Sequence, residues 1–186
     1  MSNEALTFSR LESADEVSGF LCQEGEGAAD LEDFLRNDAL NYERRSLSRT
    51  YLSWLGEHLV AFATLSCGSL RFQREAAQVR TAADLEDVSF VIPGVLLGRL
   101  GVDDRFRGRG FGVRLFTWAV YIAREGIAPL AGCRFLFVDA YMCRREWYEA
   151  RGCRLVDRPK ENPTDTVKMC FDLFPPLDPA LALWEP

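Results

Sequence analysis

The sequence lacks three features that would each define a class of protein: a long uncharged apolar run, a Cys-x-x-Cys pair and more than one histidine. No uncharged stretch approaches the roughly 18 apolar residues of a membrane-spanning helix, and residues 1–4 do not begin the charged-then-apolar layout of a secretory signal. We therefore expect a cytoplasmic protein that does not enter a membrane. The single histidine, His58, lies far in sequence from every cysteine, so no metal site is predicted.

The six cysteines are expected as reduced, packed thiols because an ordinary apolar content of 48% supports a core without cross-links. The ten-residue spacing of Cys133, Cys143 and Cys153 leaves a disulfide framework as the alternative. The remaining cysteines are Cys22, Cys67 and Cys170.

Charge is distributed unevenly along the chain. The formal net charge is −6, and residues 1–45 carry eleven acidic residues against four arginines, whereas the remainder has 18 basic and 17 acidic residues. Five cations fall in one sixteen-residue window, namely Arg99, Arg105, Arg107, Arg109 and Arg114. This clustering indicates a local anion site rather than a broad nucleic-acid surface.

The pattern of apolar residues predicts a single α/β (α+β) domain over residues 1–174, followed by a coil over 175–186. Predicted strands cover 6–10, 50–55, 59–65, 95–102, 134–139, 154–157 and 167–173. Predicted helices begin at the cap Ser13 and cover 30–45, 112–125 and 144–151. The polar segment 67–93 is expected to be a loop that borders the acceptor site, with a short helix within 76–87.

A glycine-rich turn links the strand 95–102 to the helix that follows it, with the sequence Arg107-Gly108-Arg109-Gly110-Phe111-Gly112. Such a turn directs backbone N–H groups and the positive end of a helix at one point, and so binds phosphate. It lacks the Lys-Ser/Thr ending of nucleoside-triphosphate loops and differs from the dinucleotide pattern Gly-x-Gly-x-x-Gly. The turn alone therefore indicates a phosphate ligand, and it argues against kinases, ATPases and dehydrogenases.

The residues around this turn carry a family resemblance. The segment 98–112 resembles the central motif of the GNAT acetyltransferases, and Val138–Tyr141, Trp147–Glu149 and Arg151-Gly152 resemble the second block of that family in the right order. The resemblance extends to 34–51 and 169–173, where it points to a little-characterised branch. It implies a mixed central sheet of six to seven strands, splayed between strands four and five and flanked by about four helices, with acetyl-CoA as the cofactor.

The resemblance also implies roles for individual residues. The backbone of the fourth strand would bind the pantetheine arm and the turn would bind the pyrophosphate, which gives the cofactor-binding set Leu100, Gly101, Val102, Arg107, Gly108, Arg109, Gly110, Phe111 and Gly112. Tyr148 occupies the position of the general acid, its alternative role being an aromatic packed on the sheet. Asp139 is one candidate for the general base, and it could equally cap the turn after its strand. Met142 and Cys153 replace an asparagine and a phenylalanine that the family often has.

The implied activity is acetyl transfer to a primary amine of a small molecule or peptide. One alternative is an aminoacyl-tRNA-acetylating toxin, because Asn41, Arg49-Thr50 and Gly98–Leu100 resemble that branch, although a pI near 5.0 argues against binding nucleic acid. The other alternative is a non-catalytic regulator that binds acyl-CoA. The family also suggests a homodimer, by analogy alone.

Overall fold

Strands and short helices alternate along the computed structural model, which describes residues 5–72, 77–87, 91–156, 162 and 165–175. The strands are β1 (Leu6–Arg10), β2 (Arg49–Leu55), β3 (His58–Arg71), β4 (Val91–Val102), β5 (Phe135–Tyr141), β6 (Arg154–Leu155) and β7 (Thr166–Asp172). The α-helices are α1 (Ala28–Asp33), α2 (Ala39–Arg44), α3 (Ala77–Ala82), α4 (Phe111–Tyr121) and α5 (Arg145–Glu149). Two π-helical segments, Phe34–Asp38 and Ile122–Ile127, join α1 to α2 and extend α4.

The strands follow the order β1-β2-β3-β4-β5-β7-β6 in one seven-stranded sheet. Neighbours are antiparallel in the pairs β1 with β2, β2 with β3, β5 with β7 and β6 with β7. The predicted fold class is confirmed, because the described residues form seven strands and about four helices, with α1 and α2 counted as one helical run.

The chain divides into two compact units, one formed by residues 1–68 with 95–122 and the other by 69–94 with 123–186. The first unit buries a cluster of aliphatic and aromatic side chains in which Phe20 and Phe62 pack edge to face with ring centroids 5.4 Å apart. The second unit buries Phe135, Leu136 and Met169 on the paired strands β5 and β7. The prediction of a single domain over 1–174 stays a prediction.

A buried carboxylate, Glu43, ties the end of α2 to the first strands. Its side chain accepts hydrogen bonds from Arg10 Nη2 at 2.7 Å, from Arg49 Nη1 at 3.0 Å and from the backbone N–H of Thr50 at 2.6 Å. Glu43 is only 5% exposed, so these donors replace the water that an ionised carboxylate would otherwise need. The helical run is thereby fixed against β1 and β2.

The helix predicted from Ser13 is absent, and this prediction was wrong. Residues 13–14 form a turn in which the Asp15 carboxylate accepts the N–H of Glu12 at 2.6 Å. Glu16 accepts the N–H of Ser18 at 2.8 Å in the same way. These short side-chain bonds occupy backbone donors in a non-helical conformation, which is the competition that keeps such residues at helix ends.

The predicted loop 67–93 is shorter than expected. Strand β3 continues to Arg71 because Leu70 and Phe72 are both buried and keep the alternation of the strand, and β4 begins at Val91. The short helix inside the segment is present as α3. Residues 73–76, 88–90 and 157 lie outside the described residues, as does the predicted coil beyond residue 175. Within the described chain, no helix combines the length and apolar content needed to cross a membrane.

We expect Glu43→Ala to lower the free energy of unfolding by about 2 kcal/mol, because it leaves buried donors without an acceptor. The loss is smaller than for a fully buried ion pair because Arg10 is half-exposed and its charge is screened. Urea unfolding measures it, with Glu57→Ala in the exposed hairpin turn as the matched control. Equal stability of the two variants would contradict the anchoring role.

Candidate functional site

The junction between β4 and the glycine turn is organised by Asp103, whose side chain is fully buried. Its carboxylate accepts the N–H of Leu21 at 3.0 Å, Arg105 Nε at 2.8 Å and Arg105 Nη2 at 2.6 Å. Its own backbone N–H donates to the carbonyl of Val60 at 2.9 Å. Burial alone would raise the pKa of Asp103, but the hydrogen bonds from Arg105 and the backbone outweigh it, and the pKa is lowered. Asp103 is therefore an anchored anion that fixes where the turn begins.

Two glycines give the turn its shape. Gly108 and Gly110 have φ values of +73° and +82°, a backbone conformation that residues other than glycine rarely adopt. A Cβ built on either residue would meet no atom within 4 Å, so the space in front of both is open to a ligand. The sequence therefore selects glycine here for backbone conformation and for close approach.

Helix α4 begins directly after this turn, with Gly110 as its N-cap residue and with no side chain capping it. Its first intrahelical bond at this end runs from the N–H of Arg114 to the carbonyl of Gly110 at 3.1 Å. The amides of the first turn, including those of Phe111 and Gly112, precede this bond and have no partner within the helix. These amides and the positive end of the helix form a site suited to a phosphate.

The arginines around the turn differ in how far their charge is already neutralised. Arg105 pairs with Asp103, and Arg107 pairs with Asp104 at 2.6 Å. Arg109 instead lies over the rings of Phe106 and Phe111, 5.3 Å and 5.4 Å from their centroids. Among the described ion pairs none includes Arg109, so no carboxylate in the described residues neutralises its charge.

Strand β4 alternates as it approaches the turn. Leu100 and Val102 are partly exposed, whereas Gly101 between them is buried. A Cβ on Gly101 would lie 2.7 Å from Phe62 Cε1, so packing inside the first unit already requires glycine there. The predicted contacts of the 100–102 backbone with a pantetheine arm stay a prediction.

Tyr148 lies on α5 in the second unit and is 8% exposed, with the ring of Trp147 edge-on at 4.8 Å between centroids. Its carbonyl accepts the N–H of Cys153 at 3.1 Å, and Gly152 at φ +86° ends the segment. Burial raises the pKa of the Tyr148 phenol above its ordinary value, with a further contribution from Cys153. The phenol therefore keeps its proton at neutral pH, as a general acid must.

Asp139 occupies an exposed position on β5 and stands opposite Lys168 of β7 in the antiparallel register. The Lys168 Nζ lies 2.6 Å from the Asp139 carboxylate. This partner was missed by sequence reasoning, although the pairing of two strands with opposite charges on one face is the signal that would have found it.

All six cysteines are free thiols. Burial raises the pKa of the Cys153 thiol to about 12, and it does the same for Cys170. Neither forms a thiolate at neutral pH, so neither serves as a nucleophile. In the described ranges, no group of three or more histidine, cysteine or acidic side chains could hold a metal ion.

Arg99 lies apart from the other cations of its window. The structure places its guanidinium 3.5 Å from the centroid of the Phe34 ring, at the start of the π-helical segment, and not at the glycine turn. Sequence spacing alone grouped Arg99 with the turn arginines, but strand β4 carries it away from them.

One comparison by sequence identifies a relative of this chain. No family model matches the chain. A curated protein of Mycobacterium tuberculosis, a tRNA-acetylating toxin, is 31% identical over 131 residues, which cover 70% of this chain and 73% of the toxin.

Solved structures give the same fold. The structure of AtaT complexed with acetyl-methionyl-tRNAfMet matches with a TM-score of 0.74 at 22% identity, over 90% of this chain and 95% of that one. A KacT mutant with a tyrosine replaced by phenylalanine matches with a TM-score of 0.73 at 21% identity, over 90% and 95%. An AtaT mutant bound to acetyl-CoA and the C-terminus of the antitoxin AtaR matches with a TM-score of 0.66 at 23% identity, over 91% and 94%.

Gly110→Ala tests the turn. We expect a stability loss of about 1 kcal/mol from the left-handed backbone and a loss of coenzyme A affinity of about tenfold or more, because the new methyl group occupies the open space. Titration calorimetry measures affinity, and Gly56→Ala, at φ +59° in the hairpin, is the control with matched backbone strain. Unchanged affinity in Gly110→Ala would exclude the turn as the binding site.

Proposed function

This chain belongs to the family of the tRNA-acetylating toxins, acetyltransferases of the GNAT fold, and from that premise we propose that it acetylates the amino group of an aminoacyl-tRNA. The observation that carries the proposal is the 31% identity to a tRNA-acetylating toxin across 73% of that protein. The same relationship makes the chain an acyltransferase. The acetylated product that AtaT holds in its complex, acetyl-methionyl-tRNAfMet, supports the same class of acceptor.

Acetyl-CoA is the cofactor that fits the first unit. When bound, it supplies the thioester from which the acetyl group is transferred. Gly108 and Gly110 leave open space in front of a helix end without a side-chain cap, and Arg109 adds a cation beside it. We assign the pyrophosphate to the turn from Arg107 to Gly112 and the pantetheine arm to the backbone of Leu100, Gly101 and Val102.

Tyr148 is the proposed general acid. Attack by an amine on a thioester passes through a tetrahedral oxyanion and releases a thiolate, and both charges require donors. A backbone N–H near Leu100 or Gly101 serves the oxyanion. The phenol Oη of Tyr148 supplies the proton, and its raised pKa keeps that proton available at the pH where the enzyme works.

The proton that the attacking amine loses needs an acceptor. Asp139 stays the side-chain candidate, but its carboxylate lies 2.6 Å from Lys168 Nζ, and it must give up this partner to take a proton. A water molecule accepts the proton without that cost, and an amine that arrives uncharged needs no acceptor before it attacks.

The net charge of −6 favours a small-molecule or peptide amine, which is the second candidate acceptor. Ion pairing inside the protein does not remove this charge, because each paired acid also neutralises an arginine. Glu32 and Glu43 bind arginines of the first unit, and Asp103 and Asp104 bind Arg105 and Arg107. Binding of a nucleic-acid acceptor would therefore depend on local cations rather than on net charge.

The AtaT structure with the C-terminus of AtaR supports an antitoxin as a protein partner of this chain. A homodimer and a cytoplasmic location stay predictions.

Radiolabelled acetyl-CoA tests the acceptor. The full chain is incubated with an unfractionated pool of aminoacyl-tRNA and separately with a library of free amines and peptides. We expect label in the RNA fraction that mild base releases as N-acetyl amino acid, because the amino acid is held to the RNA by an ester. Label in the amine library alone would overturn the tRNA acceptor and leave the acetyltransferase standing.

Tyr148→Phe removes only the phenol oxygen. We expect kcat to fall about 100-fold while the Kd for acetyl-CoA is unchanged, because the acid acts in the transition state. Tyr121→Phe, at a position 60% exposed on α4, is the control. In the wild type, the raised pKa predicts that kcat shows no loss from deprotonation of this tyrosine below its ordinary pKa of 10.0. A variant with wild-type kcat would exclude the assignment.

A further inference from the structure

Arg99 is a cation on β4 that the acetyl transfer described above does not use. Its guanidinium carbon lies 3.5 Å from the Phe34 ring centroid and 5.9 Å from that of Tyr42. Those two rings meet edge to face, with centroids 5.2 Å apart. The cation is therefore held by aromatic faces, which attract it through their π electrons but accept none of its five N–H groups in the way that an oxygen would.

No carboxylate in the described residues pairs with Arg99. The two buried acids of the helical run that covers it are committed elsewhere. Glu32 binds Arg36 at 2.7 Å and the N–H of Cys22 at 2.7 Å, while Glu43 binds Arg10 and Arg49. Arg99 thus keeps its charge and its donors for a group that comes from outside the first unit.

Its position relates it to the proposed reaction. Arg99 directly precedes Leu100, so the Cα atoms of the two residues are about 3.8 Å apart. Phe34, which holds the guanidinium, begins a π-helical segment, a departure from α-helix that is frequent at functional sites. Arg99 and Leu100 are both partly exposed, and the Arg99 backbone directly continues the strand backbone that we assign to the thioester arm.

We propose that Arg99 binds a phosphate at the 3′ end of the aminoacyl-tRNA and so positions the acceptor amine at β4. This inference rests on the proposed function. An amino acid esterified to tRNA has no free carboxylate, and the anion nearest to its amine is a phosphate of the RNA backbone. A guanidinium fixed by stacking presents its N–H edge in the fork that matches two phosphate oxygens.

The test compares variants of the full chain. Arg99→Gln removes the cation, Arg99→Lys keeps a charge without the planar fork, and Arg45→Gln removes an exposed arginine of the same unit as the control for a lost charge. Each is assayed with aminoacyl-tRNA and with amino-acid methyl esters, which carry the amine and the ester but no phosphate. The Kd for acetyl-CoA checks that each variant folds.

For Arg99→Gln we expect the KM for aminoacyl-tRNA to rise about tenfold, with kcat/KM for the methyl esters unchanged. The slope of log kcat/KM against log salt should become shallower by about 0.7, the contribution of one single-strand phosphate contact. Arg99→Lys should recover part of the loss, and Arg45→Gln should resemble the wild type. If the wild type does not turn over the methyl esters, the salt dependence of kcat/KM for aminoacyl-tRNA by itself tests the phosphate contact.

An equal loss of activity on both substrates would assign Arg99 to packing on Phe34 and overturn the phosphate contact. An unchanged KM for aminoacyl-tRNA together with an unchanged salt slope would overturn the phosphate contact as well. If Arg99→Gln does not fold, Arg99→Met, which keeps an apolar stem over Phe34, provides the same readouts. A wild type that acetylates free amino acids or peptides but no aminoacyl-tRNA overturns the proposed function itself. Dependence of that activity on Arg99 would assign the guanidinium to the carboxylate of such an acceptor.

Discussion

The buried carboxylate of Asp103 is the interaction on which the first unit depends. Asp103 directly follows β4, and its carboxylate accepts hydrogen bonds from the Leu21 N–H and from Arg105. Its backbone N–H donates to the carbonyl of Val60 on β3. An ionised carboxylate with no exposure would be costly without these donors, and their loss would leave a buried charge unpaired. Arg105 also donates to the carbonyl of Gly19 at 2.7 Å, so one ion pair fixes the strand, the segment before α1 and the entrance to the turn.

Sequence reasoning succeeded where local pattern and local chemistry agree. The bounds of β1 were predicted to the residue, and the glycine turn was recognised because its positive φ values can be met by few other residues. It failed at Ser13, where the same residue types that cap a helix also form turns, and only the Asp15 and Glu16 bonds distinguish the two outcomes. It also shortened β3, because the polar residues after Leu65 hid the burial of Leu70 and Phe72.

The position of the glycine turn could be predicted from the sequence, but the partners of the arginines around it could not. Sequence spacing treats the arginines of the 99–114 window as equivalent, whereas folding pairs Arg105 and Arg107 with acids and leaves Arg99 and Arg109 over aromatic rings. Which cation stays available depends on contacts with residues such as Phe34, distant in sequence.

The π-helical segment between α1 and α2 determines the direction, around the helix axis, in which the side chains of α2 point. Each helical residue turns the chain by about 100°, so removing one residue from Phe34–Asp38 to restore an α-helix would swing Glu43 away from Arg10 and Arg49. Ala39, now fully buried, would leave its place in the core as well. The additional residue of the π-helical turn thus sets the rotation between Phe34 and Glu43, so that Phe34 contacts Arg99 while Glu43 contacts β1 and β2. Chains of this family that differ in length within this run should therefore differ in how they hold these two side chains.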